Sequence, residues 1–300
     1  MLGVVNDVID ISKSGNKRDA VQQLECSDLS FARVLVVDDM KTNLHVAAGL
    51  LGKYKMQVDC VLSGKEAVER IRQGGSTGES LYDAIFMDHM MPEMDGIQTA
   101  AAIRCLGTEY AKKIPIIALT ANAIHGSAEF FYEHGFQAFI PKPIDINQLD
   151  SVVQKWVHKK AAEQEAPDKS ISAGSHESED IIIDIPGMDA KKAIVLYGGD
   201  LAIYLNILRV YSNKMPATLD KIRNVTAETL NDYVIIVHGV KGTSASVGAL
   251  AVSKTAGKLE TLAKAGDLDG VLASNGSFIR EAEKNIEDIK KWLESYSSGA

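Results

Sequence analysis

No apolar run in this chain approaches the ~18 residues that a membrane-crossing helix needs. The first residues, Met1-Leu-Gly-Val-Val-Asn-Asp-Val-Ile-Asp-Ile11, are interrupted by acids and lack the basic start and cleavage site of a secretory signal. Cysteine is scarce. Cys26, Cys60 and Cys105 are odd in number, far apart and in no metal-ligand spacing, so they read as reduced thiols of a cytoplasmic protein. Basic residues are outnumbered, 32 Lys and Arg against 40 Asp and Glu, for a net charge of -8. Nucleic acid and anionic membrane surfaces need clustered positive charge, so neither is an expected partner. A phosphate-cradling glycine-rich loop is also missing, which argues against a conventional ATP-dependent enzyme. What is left is ordinary globular composition, 46% hydrophobic and 24% charged, with chain enough for about two domains.

Residues 1–30 begin with Leu2, Val5, Val8 and Ile9 at helical spacing and stop at Ser14-Gly-Asn-Lys17, which predicts a short amphipathic helix and a linker. The period changes at residue 31. Short β-branched runs at Val34–Val37, Val58–Leu62, Ala84–Met87, Ile114–Leu119 and Phe136–Ile140 alternate with helical patterns at 43–53, 64–73, 96–106, 125–134 and 145–158. Five strands alternating with five helices predict a doubly wound α/β domain over 31–158, its parallel strands buried on both faces. Residues 159–180 are polar and aperiodic, a flexible linker long enough to let the next domain fold back over the first. Residues 181–298 have no strand pattern. Helical stretches at about 189–197, 200–214, 215–224, 228–245, 248–265 and 275–296 predict an up-and-down bundle. Pro216 and Gly266-Asp-Leu-Asp-Gly270 are expected to separate helices, and Gly248 to kink or pack a helical hairpin rather than end a helix.

The first domain is organised around Ile85-Phe-Met-Asp88-His-Met-Met-Pro-Glu-Met-Asp-Gly96, in which a buried strand delivers one carboxylate to a turn. Asp38 and Asp39, Thr120 and Lys142 also follow apolar runs directly. Right-handed crossovers bring all these strand ends to one rim, where ligands of open α/β sheets bind. Three neighbouring carboxylates would repel one another, and a hard dication with oxygen ligands, Mg²⁺ (or Mn²⁺), resolves this. Asp88 is then the natural nucleophile toward a phosphoryl group, with Lys142 and Thr120 contacting its oxygens. Pro143 restricts the backbone of Lys142 and helps aim it.

Together Val-Asp38-Asp39, Met-Asp88-x-x-Met-Pro-x-Met-Asp-Gly96, Leu-Thr120-Ala and Pro-Lys142-Pro resemble the receiver domain of two-component response regulators. The resemblance implies that Asp88 accepts phosphate and that Asp38, Asp39 and the carbonyl of Met90 hold the metal with it. It also puts Phe139 at the family's aromatic switch, although a core Phe on a buried strand reads equally simply. The side chain of Met90 stands where the family tunes acyl-phosphate lifetime.

Of the seven histidines, His45, His89, His125, His134, His158 and His176 read as surface or packing residues, and His89 is expected to point away from Asp88 by strand alternation. His238 differs. Lys241 and Gly242, three and four residues on, share its helical face, where a cation favours a phosphorylated imidazole and a missing side chain admits an incoming acidic site. His238-Gly-Val-Lys-Gly242, the small residues after it, Gly248-Ala, Ile185-Pro-Gly-Met-Asp and Tyr197-Gly-Gly-Asp-x-x-x-Tyr204 resemble the histidine-containing phosphotransfer domain. Gly239, costly in a helix, and Ser246, where an amide is common, depart from it. Asn6-Asp-Val-Ile-Asp-Ile-Ser-Lys13 resembles the end of a sensor kinase dimerisation helix, either a remnant or a homodimer contact. The whole resembles the C-terminal part of a hybrid sensor kinase, without its ATP-binding domain. It implies a phosphorelay in which a histidine kinase phosphorylates Asp88, His238 exchanges that phosphate, and a downstream response regulator receives it. The alternatives are a phosphorylation-gated interaction switch and a phosphate sink, neither using His238.

Overall fold

The computed structural model describes residues 26–77, 81–120, 127–158 and 183–298. The expected N-terminal helix, the 159–180 linker, His125 and His176 lie outside these residues. Five strands, β1 Arg33–Val37, β2 Gln57–Val61, β3 Ala84–Asp88, β4 Ile116–Thr120 and β5 Ala138–Pro141, form one parallel sheet in the order β2-β1-β3-β4-β5. β3 and β4 are buried along their whole length, as strands covered by helices on both faces must be. The helices are α1 Lys41–Gly52, α2 Gly64–Thr77, α3 Gly96–Arg104, α4 Glu109–Lys113, α5 Ser127–Glu133 and α6 Ile146–Val153, the last continuing as a π-helical turn over 154–158. The five-residue α4 is too short to leave a periodic signal. It is set by its cap, Thr108, whose hydroxyl accepts from Ala111 N.

The bundle contains α7 Ala190–Leu196, α8 Leu201–Asp220, α9 Leu230–Val247, α10 Leu250–Lys264 and α11 Leu268–Ser298. Three expected breaks differ from those observed. α8 runs through Pro216 as one 20-residue helix, because Tyr211, Met215 and Leu219 bury its face on both sides of the proline. Gly248 does end α9: it adopts φ +86°, and its N–H reaches back to Ser244 and Ala245 carbonyls. Gly270 lies inside α11, where its N–H meets the Asp267 carboxylate, so that only residues 265–267 separate α10 from α11.

One face of the sheet, with Leu35, Val37, Ile85 and Met87, packs under α2 and α3. The other, with Val34, Val36, Phe86 and Leu119, packs under α1 and α6, and this core continues into the bundle. The continuity runs through α1, which lies along α8. A Cβ at Gly49 would meet Ile203 at 3.7 Å, and Lys53 Nζ pairs with Asp200 at 3.1 Å while donating to Tyr197 O. No single described helix is long and apolar enough to cross a membrane.

Candidate functional site

The C-terminal ends of β1, β3, β4 and β5 carry Asp38, Asp88, Thr120 and Lys142 to one rim of the sheet, all buried. Asp38, Asp39 and Asp88 each offer an oxygen within 4.8 Å of the others. Lys142 Nζ lies 2.6 Å from Asp38 and 2.9 Å from Asp88, and its backbone N–H donates to Thr120 O at 2.6 Å. The Lys142–Pro143 peptide is cis. Met90 N donates to Asp88 Oδ1 at 3.3 Å. Gly96 allows the turn after β3 to close, since a Cβ there would lie 2.7 Å from His89 Cα. Phe139 is half-buried and stacks on Phe131 with ring centroids 6.1 Å apart.

Burial, reinforced by the neighbouring carboxylates, pushes Asp38 up to about 6 and Asp39 up to about 7, although Lys142 pulls the other way. Burial opposes the charge on Lys142, but Asp38 and Asp88 outweigh it and raise its pKa. One ammonium therefore does not balance three acids. The oxygen donor set and its residual repulsion fit a hard dication.

His238 lies on α9 and is 4% exposed. Its Nδ1 is 2.7 Å from Glu260 Oε1 on α10. An ionised carboxylate only accepts, so Nδ1 carries the proton and, in the neutral ring, Nε2 carries the lone pair. Nε2 is buried and has no hydrogen-bond partner. Burial opposes ionisation of Glu260, but hydrogen bonds from His238, Lys264 and Lys241 hold its carboxyl well below the usual range. Lys241 therefore meets His238 through Glu260, which accepts from Lys241 Nζ at 3.0 Å and from Lys264 Nζ at 2.6 Å.

The cover over His238 is the first domain itself. The His238 ring sits edge-on to His89, centroids 5.7 Å apart, and His89 Nδ1 is 3.7 Å from Asp88 Oδ1. The expectation that His89 points away is thus corrected: β3 ends at Asp88, and strand alternation ends with it. Burial lowers the pKa of His89, which favours the neutral ring. Gly242 faces Lys142, but a Cβ there would sit 3.8 Å from Lys142 Cδ, an ordinary contact. The crowded position is Gly239, where a Cβ would overlap Met40 Sδ. Asn43 joins the two domains, donating to Asp38 Oδ1 at 3.0 Å and standing 3.0 Å from Thr243 Oγ1 through its own Oδ1. Ser246 turns its hydroxyl back to Gly242 O.

Two residues of this site, Asn43 and Glu260, went unread in the sequence, and His89 was read there only as a surface or packing residue. Only Glu260 left a signal there, as a lone acid in the i, i+4 stripe Val252, Ala256, Glu260 that α10 buries.

Residues 34–154 match the response regulator receiver domain family, and residues 206–292 match the Hpt domain family. Aerobic respiration control sensor protein ArcB of Escherichia coli (strain K12) is 25% identical over 267 residues, 87% of this chain and 32% of that protein. Probable histidine kinase 6 of Oryza sativa subsp. japonica is 36% identical over 140 residues, 41% of this chain and 14% of that protein. The chain thus spans about a third or less of the length of these relatives. Among solved structures, the receiver domain of a sensor histidine kinase from Pseudomonas aeruginosa PAO1, with a magnesium ion in its active-site cleft, is 31% identical. It covers 42% of this chain and 98% of that one, with a TM-score of 0.37. The chain thus joins a region that matches the response regulator receiver domain to one that matches the Hpt domain.

Proposed function

We propose that the chain relays a phosphoryl group between Asp88 and His238. The observation that carries this reading is the seating of His238 over the acidic rim, its Nδ1 held by Glu260 and its Nε2 left with a free lone pair. A histidine kinase supplies the phosphoryl group from its phosphohistidine: an Asp88 carboxylate oxygen attacks phosphorus as the N–P bond breaks, the imidazole leaves with that electron pair, and an acyl phosphate results. Asp38, Asp39, Asp88 and the Met90 carbonyl would hold Mg²⁺, which when bound would neutralise the phosphoryl oxygens. Lys142 pairs with one of those oxygens and Thr120 hydrogen-bonds another. In transfer, the lone pair on His238 Nε2 forms the N–P bond as the P–O bond to Asp88 breaks and the carboxylate leaves with that electron pair. The imidazole becomes cationic, and Glu260 stabilises the charge at Nδ1–H. Lys241 tightens Glu260, and Gly242 lies on the same face against Lys142. Phe139 reports the state of Asp88 from β5, with β4 between them. Export to a downstream regulator requires the receiver to leave His238, since both would use the same face.

Labelled acetyl phosphate, an acyl phosphate near in energy to that of Asp88, tests the reading on the full chain. Wild type is expected to gain an alkali-labile label at Asp88 and then an acid-labile, alkali-stable one at His238. Asp88→Asn should gain neither, and His238→Gln only the first. An alkali-stable label of undiminished amount on Asp88→Asn would sink the proposal.

A further inference from the structure

We propose that Met40 and Gly239 form a knob-and-hole pair that makes this chain's own receiver the partner fitted to the His238 face. The proposal rests on the relay reading above and names the partner of that site. Each residue is a poor local choice. Met40 occupies the N-cap of α1, where an oxygen-bearing side chain is preferred, and it makes no side-chain cap. Gly239 lies inside the 18-residue α9, where alanine favours the helix. Its φ is not among the positive ones, so backbone conformation does not call for glycine. What calls for it is space. A Cβ at Gly239 would overlap Met40 Sδ and lie 3.2 Å from its Cγ. Thr243 closes the pocket, with its hydroxyl 3.6 Å from Met40 Sδ and 2.6 Å from Gly239 O. Two local violations thus cancel across the domain boundary.

Their position gives the pair its consequence. Met40 follows Asp38-Asp39, and Gly239 follows His238, so the contact sets the approach of the phosphoryl donor site to its acceptor. Phosphoryl transfer demands reacting atoms about 3–3.5 Å apart, and a displacement of about 1 Å costs on the order of 100-fold. A receiver with a small residue after its acid pair would leave the hole at Gly239 unfilled. A bundle bearing a side chain in place of Gly239 would be held off this receiver.

The test is a double-mutant cycle in the full chain with two readouts. One is hydrogen exchange of receiver amides 40–43, the turn whose Met40 and Asn43 side chains meet Thr243 of α9. The other is label transfer from Asp88 to His238 after loading with acetyl phosphate. Gly239→Ala should quicken exchange about tenfold, the scale of an overpacked contact, and slow transfer at least as much. Met40→Ala in the same chain should restore both. A merely structural role predicts the reverse, since alanine stiffens α9. Unchanged exchange in Gly239→Ala, or no rescue by Met40→Ala, overturns the proposal. Exchange that follows the cycle while wild type never labels His238 would uphold the contact as a docking determinant and remove the relay reading alone.

Discussion

Replacing Glu260 with alanine removes the acceptor that holds His238 Nδ1 at 2.7 Å. The bond is charge-assisted and buried, a class that contributes about 1.5–3 kcal/mol. The contacts to Lys241 and Lys264 add little, because both lysine side chains are well exposed, at 30% and 50%. Attack by Nε2 makes the ring cationic, so this bond strengthens as the transition state forms. If its whole value is felt there, Glu260→Ala slows transfer from Asp88 to His238 by roughly 10- to 150-fold, at about 1.4 kcal/mol per tenfold. It should also lower bundle stability by about 1.5–3 kcal/mol. Glu260→Gln keeps an acceptor oxygen without the charge and should lose only several-fold, about half the bond's worth. The assay is quenched-flow transfer of alkali-stable label, with ¹⁵N shifts of His238 reporting which nitrogen holds the proton. Transfer within twofold of wild type in Glu260→Ala, with His238 shifts unmoved, would refute the reasoning.

Two further outcomes concern the acidic rim. Asp38 and Asp39 have folded pKa values of about 6 and about 7, above the ordinary 3.8, so their contribution favours the fold at low pH and is lost as pH rises through 6 to 7. A dication competes with the same protons, so the gain in Tm on adding Mg²⁺ should be full at pH 8, shrink below pH 7 and nearly vanish by about pH 5. A Tm gain as large at pH 5 as at pH 8 contradicts the site. Lys142→Met strips the only ammonium paired with Asp38 and Asp88 among the described residues. It should cost about 3–5 kcal/mol in denaturant unfolding at pH 8, and less toward pH 5 as the acids protonate. Equal losses at the two pH values would show that the charges are not what Lys142 stabilises.

Much of this arrangement was legible before any coordinates. Runs such as Ile85-Phe-Met could only be buried strands, and parallel pairing then brings Asp38, Asp88, Thr120 and Lys142 to one edge whatever their separation in the chain. The spacing of His238, Lys241 and Gly242 likewise puts them on one helical face. One local error arose where neighbours overrode propensity: Pro216 stays helical because the side chains around it are buried. Gly248 instead follows glycine's own preference and caps α9 at φ +86°.

Sequence by itself determined the two folds and the side chains that each brings to its own surface, because hydrophobic period and crossover handedness act within a domain. Tertiary structure alone decided that the two surfaces meet. Met40 against Gly239, Asn43 against Thr243 and His89 against His238 are pairings of residues about 150 to 200 positions apart. No periodicity encodes such a contact. It follows from the shapes left over once each core has been filled, and those shapes exist only in three dimensions.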